Sequence, residues 1–296
     1  MTRILDSHIH MYAPEVFLDP RAWGIAHDEP GWTVCVAPAN RKSIQGWATV
    51  DRLVADMDRA GIEKCVMLGW YWEREETCAL QNGWYLEWTR RHPDRLLAFA
   101  AVQPSAGPPA LDGLRRALDA GMCGIGEVFP QAQGFSLDDP GWDAVVDLAV
   151  EYDVPINLHV TDPLAIDPEV AQPTPLEGYL AIAQRHPKAV FILAHWGGGL
   201  PFYELNPRVR QSLANVFYDT AASPLIYDPR VFRQVIDLVG AERVLYGSDY
   251  PLLLHPAKSR EPEFNRFLAD IEAAELTKNE SQAILGENLI RLLGLA

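Results

Sequence analysis

Eight short apolar runs recur along this chain, and their spacing constrains the fold more than any other feature. They begin at Ile4, Lys64, Leu96, Gly124, Pro155, Val190, Val216 and Val244. Subtracting the start positions gives intervals of 60, 32, 28, 31, 35, 26 and 28 residues. Each run is short and apolar at both odd and even positions, as expected for strands buried on both faces of a parallel sheet. Helical periodicity lies between the runs. Val50, Leu53, Val54 and Met57 fall at i, i+3, i+4 and i+7, as do Leu176, Tyr179, Leu180 and Ala183. Shorter stripes occur at Leu111, Leu114 and Leu118, and at Ala144, Val145, Leu148 and Ala149. Each places one apolar face against a sheet. Thr277 and Glu280 make a capping-box pattern before the last helix. Strand and helix alternating eight times predict an α/β fold, a (β/α)8 TIM barrel formed as one domain over residues 1–296. The competing open doubly wound sheet lacks its Gly-x-Gly-x-x-Gly turn here.

The 60-residue interval after the first strand is the exception. Residues 11–48 contain Pro14, Pro20, Pro30 and Pro38 together with Trp23, Trp32 and Trp47. A long insertion that spends three tryptophans is not built for disorder, and it is expected to form a cap over the barrel mouth. The plainer alternative is a flap packed on the outer wall. Two echoes, RHPDRLL from Arg91 and RHPKAVF from Arg185, precede strands. They read as helix ends, so His92 and His186 are expected to be structural.

Strands buried on both faces should carry few polar side chains. Here polar residues gather at strand C-terminal ends: Asp6, Ser7, His8 and His10 on the first, Glu127 on the fourth, His159 on the fifth, His195 on the sixth and Asp249 on the eighth. In a barrel these ends converge on one mouth. His8 and His10 are two apart and so point to the same side of their strand. Any one of these residues has a bland reading, as a hydrogen-bonded core histidine, a surface ion pair or a helix cap. Together, four imidazoles and two carboxylates around one mouth make a divalent metal site, with Zn2+ the default and Mn2+, Fe2+ or Co2+ the alternatives.

The stretches LDSHIH, INLHV, LAHWGGG and LYGSDYP, with the closing ILGENLIRLLGL, resemble the amidohydrolase superfamily over essentially the whole chain. The nearest branch is the amidohydrolase-2 group, which includes aminocarboxymuconate-semialdehyde decarboxylase and related hydrolases. The resemblance implies that His8, His10, His159 and Asp249 bind one metal ion. It implies that His195 polarises or protonates substrate, or binds a second ion. Glu127 departs from the pattern: it resembles the bridging glutamate of the TatD-like branch, so one or two ions can be accommodated. The implied activity is a metal-dependent hydrolase. In that reading the ion activates water against a carbonyl- or carboxylate-bearing small molecule, Asp249 is the proton acceptor and His195 stabilises the developing charge. The first alternative is a non-oxidative decarboxylase acting on an unsaturated or aromatic carboxylate at the same site. The second is a TatD-like binuclear deoxyribonuclease. Trp72, Arg74, Trp196 and His255 are candidate substrate contacts, and Arg21 and Arg41 in the insertion are further candidates to clamp a carboxylate.

Charge and composition narrow the partners. Lys and Arg number 25 against 40 Asp and Glu, a formal net charge of −15. That charge opposes non-specific contact with nucleic acid or an anionic membrane. No apolar run approaches the roughly 18–20 residues that span a bilayer, and the opening MTRILDSHIH does not read as a signal peptide. Cys35, Cys65, Cys78 and Cys123 form no Cys-x-x-Cys pair, so reduced thiols and a cytoplasmic location are expected. A small-molecule substrate is the expected partner, with self-association left open.

Overall fold

The computed structural model describes residues 2–164, 175–254 and 261–296. Eight strands appear where the apolar runs predict them: β1 (Leu5–Ile9), β2 (Lys64–Met67), β3 (Leu96–Ala98), β4 (Ile125–Val128), β5 (Ile156–Leu158), β6 (Phe191–Leu193), β7 (Val216–Asp219) and β8 (Val244–Leu245). All neighbouring pairs run parallel, in the order β1-β2-β3 and β4-β5-β6-β7-β8. Parallel bridges Ala100–Ile125 and Ile9–Tyr250 join the two sets. Backbone bonds from Gly126 N–H to Ala100 O (2.9 Å), from Ser7 N–H to Tyr246 O (2.8 Å) and from Asp249 N–H to His8 O (2.8 Å) complete the closure. A closed barrel leaves no free sheet edge.

The strand side chains divide by parity. Cys65 and Met67 join one buried cluster with Ile125, Ile156 and Phe191, whereas Val66 and Leu68 join another with Leu5, Phe99, Ile192 and Leu245. That division is what opposite faces of a closed sheet require. Crossover helices follow the strands. The first, Val50–Ala60, is capped by Thr49, whose side chain accepts from Arg52 N–H, and it ends at Gly61 in the left-handed region. It buries Val50, Leu53 and Met57 as the periodicity predicts. Full burial of Leu53 or Met57 contributes roughly 1.5–3 kcal/mol each. The capping box at Thr277 and Glu280 is present in both directions.

Residues 11–48 are not a structureless loop. They form three short helices, Pro14–Leu18, Pro20–Ala26 and Pro30–Val36, each with proline in its first turn, where its missing N–H costs nothing. Tyr12, Val16, Trp23, Trp32 and Val36 are buried in one cluster with Trp70 and Trp72, which follow β2. The end of the segment reaches the exit of β8, where Leu253 N–H donates to Ile44 O at 2.7 Å. His92 and His186 close helices, and His186 also pairs with Asp143 at 3.0 Å. Among the described residues no helix is long and apolar enough to cross a membrane.

Candidate metal centre

The C-terminal ends of β1, β4, β5, β6 and β8 bring His8, His10, Glu127, His159, His195 and Asp249 together. Their ligand atoms fall into three overlapping groups, each within 4.8 Å: His8, His10 and Glu127; His8, His195 and Asp249; and Glu127, His159 and His195. His8 and His10 face each other with Nε2 atoms 3.2 Å apart. Asp249 lies 3.8 Å from His8 and 3.6 Å from His10. Glu127 sits at the centre. One of its oxygens lies 3.4 Å from His10 and 4.0 Å from His8, and the other lies 2.9 Å from His159 and 3.4 Å from His195. His159 lies in the group with Glu127 and His195.

Local backbone conformation delivers these side chains. Gly126 has φ +126°, and a Cβ there would lie 2.4 Å from Asn157 O, so only glycine lets Glu127 approach β5. His195 and Trp196 both hold positive φ at the head of the glycine turn 197–199, and Asp249 holds φ +67°. Non-glycine residues in this region store strain and cluster at functional sites.

The imidazoles are aimed from behind. His8 Nδ1 bonds Asp219 Oδ2 at 2.9 Å, His10 Nδ1 bonds Leu68 O at 3.1 Å, and His195 Nδ1 bonds Ala221 O at 3.1 Å. Each of these partners is an acceptor, so each Nδ1 donates to it, which leaves Nε2 as the nitrogen turned toward the cluster and available to an ion. Asp219, fully buried, also accepts from Asn157 Nδ2 and from the backbone N–H groups of His195 and Ala221. Asp6 Oδ1 accepts from the backbone N–H of His8 and of Ser248, tying β1 to the exit of β8. Asp219 and Asn157 were missed from sequence. The run VFYDTAA carries its acid at a strand end, the same signal that singled out Glu127 and Asp249.

The electrostatics show what the cluster demands. Burial drives His8 toward neutrality, yet the carboxylates of Asp219, Glu127 and Asp249 outweigh it and lift the imidazole to about 10. Burial likewise opposes charge on Glu127, but His159, His8 and His10 hold its carboxyl well below the usual range. Asp219 is held low against burial, chiefly by His8. His195 is raised against burial by Glu127 and Asp249, whereas burial keeps His159 below its ordinary value despite Glu127. Glu127, Asp219 and Asp249 place buried or half-buried carboxylates around these imidazoles, an arrangement that favours positive charge at this spot. A divalent cation supplies that charge, and the mixed nitrogen and oxygen donors fit borderline ions such as Zn2+ or Mn2+.

The cluster opens into a cavity of about 310 Å³. Its walls are mostly apolar and aromatic: Trp70 and Tyr71 after β2, Val160 after β5, Leu225 and Ile226 after β7, and Leu252 after β8. Cys35, Val36, Ile44 and Gln45 of the long segment line the same cavity. No lysine or arginine is among the described residues that line it.

A profile of the amidohydrolase family matches residues 6–295. The chain belongs to that family, in its amidohydrolase-2 group. The 2-amino-3-carboxymuconate-6-semialdehyde decarboxylase of Dictyostelium discoideum is 24% identical over 269 residues, spanning 78% of this chain and 70% of the relative. The crystal structure of 5-carboxyvanillate decarboxylase from Sphingomonas paucimobilis superposes with TM-score 0.76 at 14% identity and covers 100% of both chains. That of 5-carboxyvanillate decarboxylase from Novosphingobium aromaticivorans gives TM-score 0.74 at 17% identity over 99% and 96% of the two chains. It holds manganese and 4-hydroxy-3-methoxy-5-nitrobenzoic acid. The shared fold is the amidohydrolase-2 barrel.

Within this amidohydrolase-2 chain Trp72, Trp196, Arg74, Arg21 and Arg41 are not among the described residues that line the cavity. Trp72 is fully buried among Tyr12, Trp23, Trp32 and Trp70, and its indole N–H donates to Gln81 Oε1 at 2.7 Å. Trp196 is fully buried edge-on to Phe232 and donates to Ser223 Oγ at 2.9 Å. Both tryptophans sit where large apolar area is best hidden, and neither is among the described residues that line the cavity. Arg74 is exposed and paired with Asp28 at 2.5 Å. Arg21 and Arg41 spend guanidinium donors on the backbone oxygens of Ala37 and of Cys35 and Lys42. His255 lies outside the described residues.

Proposed function

We propose that this amidohydrolase-2 enzyme is a metal-dependent lyase that releases CO2 from a small, planar, unsaturated carboxylic acid, aromatic or dienyl. The observation that carries this reading is the cavity itself. A cluster that demands positive charge stands at one end, apolar and aromatic walls make up most of the remainder, and no lysine or arginine is among its described lining residues. A divalent ion held by His8, His10 and Asp249, with Glu127, His159 and His195 in reach, would supply the positive charge that a carboxylate needs beside these acids. Trp70 and Tyr71, whose rings pack against each other with centroids 4.2 Å apart, give the wall aromatic surface suited to a flat substrate. Water-poor walls favour a reaction in which charge leaves the compact carboxylate and spreads into a π-system. Asp249, at the edge of the cluster and in the cavity wall, is the side chain placed to deliver a proton to the substrate. As the carbon–carboxylate bond breaks and CO2 leaves, the bonding pair stays on carbon, which takes the proton from Asp249. Solvent then reprotonates the carboxylate. The decarboxylases among the relatives support this reading over hydrolysis, and the manganese in one of them makes Mn2+ as good an expectation as Zn2+. Residues 35–36 and 44–45 would act as part of a cap that excludes water from the mouth.

The test is a panel of hydroxybenzoic, pyridinecarboxylic and muconic acids, assayed with the Mn2+-loaded protein by CO2 release and ultraviolet absorbance. Asp249→Asn should lower turnover by roughly 10²–10⁴-fold, the usual contribution of a positioned proton donor, with Mn2+ retained. Hydrolysis of amide or lactone substrates with no CO2 from any acid would overturn the proposal in favour of the hydrolytic reading.

A further inference from the structure

Asp249 is held in the left-handed region at φ +67°, a conformation that aspartate keeps only where its surroundings enforce it. Its backbone is fixed on one side by β1, through Asp249 N–H to His8 O at 2.8 Å and His10 N–H to Tyr250 O at 2.8 Å. On the other side the next residue reaches across to the helix layer. Tyr250 is 1% exposed, and its ring stacks on Phe264 with centroids 4.5 Å apart and planes at 12°. Its hydroxyl donates to Asp56 Oδ2 at 2.7 Å. Asp56 is itself buried on helix Val50–Ala60. It accepts from Arg52 Nε at 2.8 Å and pairs with Arg59, while Arg52 also reaches Glu261 at 3.1 Å.

A buried carboxylate beside two guanidiniums is a fixed acceptor, because leaving it unpaired would be costly. A phenol bonded to it is a short, charge-assisted strut. Among the described residues this polar cluster lies outside the metal centre and the cavity wall. It meets them through the Tyr250 backbone, by the peptide unit that joins Tyr250 to Asp249 and by the His10 N–H that donates to Tyr250 O. We propose that Tyr250 and Asp56 are positioning residues: the Tyr250–Asp56 bond, clamped by Arg52 and Arg59, sets the reach of the Asp249 carboxylate toward His8 and His10. The proposal rests on the reading of Asp249 as a metal ligand.

Mn2+ alone serves as the probe, measured by calorimetry, so the test does not depend on the substrate. Tyr250→Phe keeps the stack on Phe264 and leaves Asp56 neutralised by its two arginines. It should weaken Mn2+ binding by about tenfold, the lower end of what removing an outer partner of a metal ligand costs. In an Asp249→Ala background the same change should alter Mn2+ affinity by less than about twofold, because contacting residues are coupled only through the group removed. Asp56→Asn, which keeps an oxygen for the phenol, should restore most of the affinity lost in Asp56→Ala. That pair also carries the comparison should Tyr250→Phe fail to fold. Equal losses in both backgrounds would mark a general structural role and overturn the proposal, as would unchanged affinity in Tyr250→Phe. Failure of the wild-type protein to bind Mn2+ would overturn the metal reading and this proposal with it. Mn2+ binding with the expected coupling, but no CO2 release from any acid, would overturn the lyase reading alone.

Discussion

Asp219→Asn separates the aiming of His8 from the packing around it. The wild-type carboxylate receives four donors. Oδ1 takes the backbone N–H of His195 at 3.0 Å and of Ala221 at 3.1 Å, and Oδ2 takes Asn157 Nδ2 at 3.0 Å and His8 Nδ1 at 2.9 Å. Asparagine has one oxygen, and the backbone donors cannot move, so its oxygen should stay with them. Its NH2 group then faces Asn157 and His8. Asn157 can turn its amide, because its Oδ1 has no partner and is available to accept. His8 can adapt only by moving its proton from Nδ1 to Nε2, the nitrogen that faces His10 at 3.2 Å. The protonated Nε2 is no longer a ligand. Loss of such an outer partner typically lowers metal affinity by 10–100-fold, or roughly 1.4–2.8 kcal/mol at about 1.4 kcal/mol per tenfold. The fold should lose less than the roughly 1.5–3 kcal/mol of a hydrogen bond to a charged group, because the remaining donors find new acceptors. Calorimetric Mn2+ titration paired with thermal melts of the metal-free proteins reads both quantities. Mn2+ affinity within twofold of wild type in a folded Asp219→Asn protein would refute the tautomer argument.

Three further outcomes follow from particular contacts. Under the one-ion reading Glu127→Gln should leave Mn2+ stoichiometry at about one in elemental analysis; a fall from about two ions to one would show that the two Glu127 oxygens, which face different histidine pairs, serve two ions. Glu29 is fully buried and accepts from the backbone N–H of Glu73 at 2.8 Å and of Arg74 at 3.1 Å, and burial raises its carboxyl from 4.5 to about 7. The folded chain therefore holds that proton more tightly than the unfolded chain, and the resulting stability is complete below about 4.5 and lost as pH rises through about 7. The melting temperature of wild type relative to Glu29→Gln should accordingly fall between pH 5 and pH 8, and a pH-independent difference would contradict it. Trp72→Ala should destabilise by roughly 3–5 kcal/mol, as large buried aromatics do, in chemical denaturation. A loss under about 1 kcal/mol would mean that the aromatic cluster is not packed as described.

Much of the architecture was legible in the residues themselves. A strand buried on both faces must be apolar at both parities, so the eight runs betrayed the barrel, and each observed strand begins within one residue of its run. The same rule exposed His8, His10, Glu127, His159, His195 and Asp249, because a polar side chain in such a strand needs a special reason to be there. Asp219 satisfies that rule as well, since the run VFYDTAA carries its acid at a strand end. The roles of the tryptophans were not legible. Trp72 and Trp196 stand beside site residues in sequence yet point into packing, and Trp70 and Tyr71, two and one positions earlier than Trp72, line the cavity. Local pattern records how apolar a residue is, whereas the direction in which an irregular loop turns it depends on what the rest of the chain packs against that loop. The same holds for Glu127, whose two oxygens are divided between histidine pairs from three other strands. The repeating strand and helix pattern and the donor atoms at its strand ends follow from local residue order alone. Which donors share a group, which imidazole nitrogen faces inward, and that Tyr250 reaches Asp56 were decided by the closure of the barrel. Closure brings residues 194 positions apart to hydrogen-bonding distance, and no local periodicity encodes that.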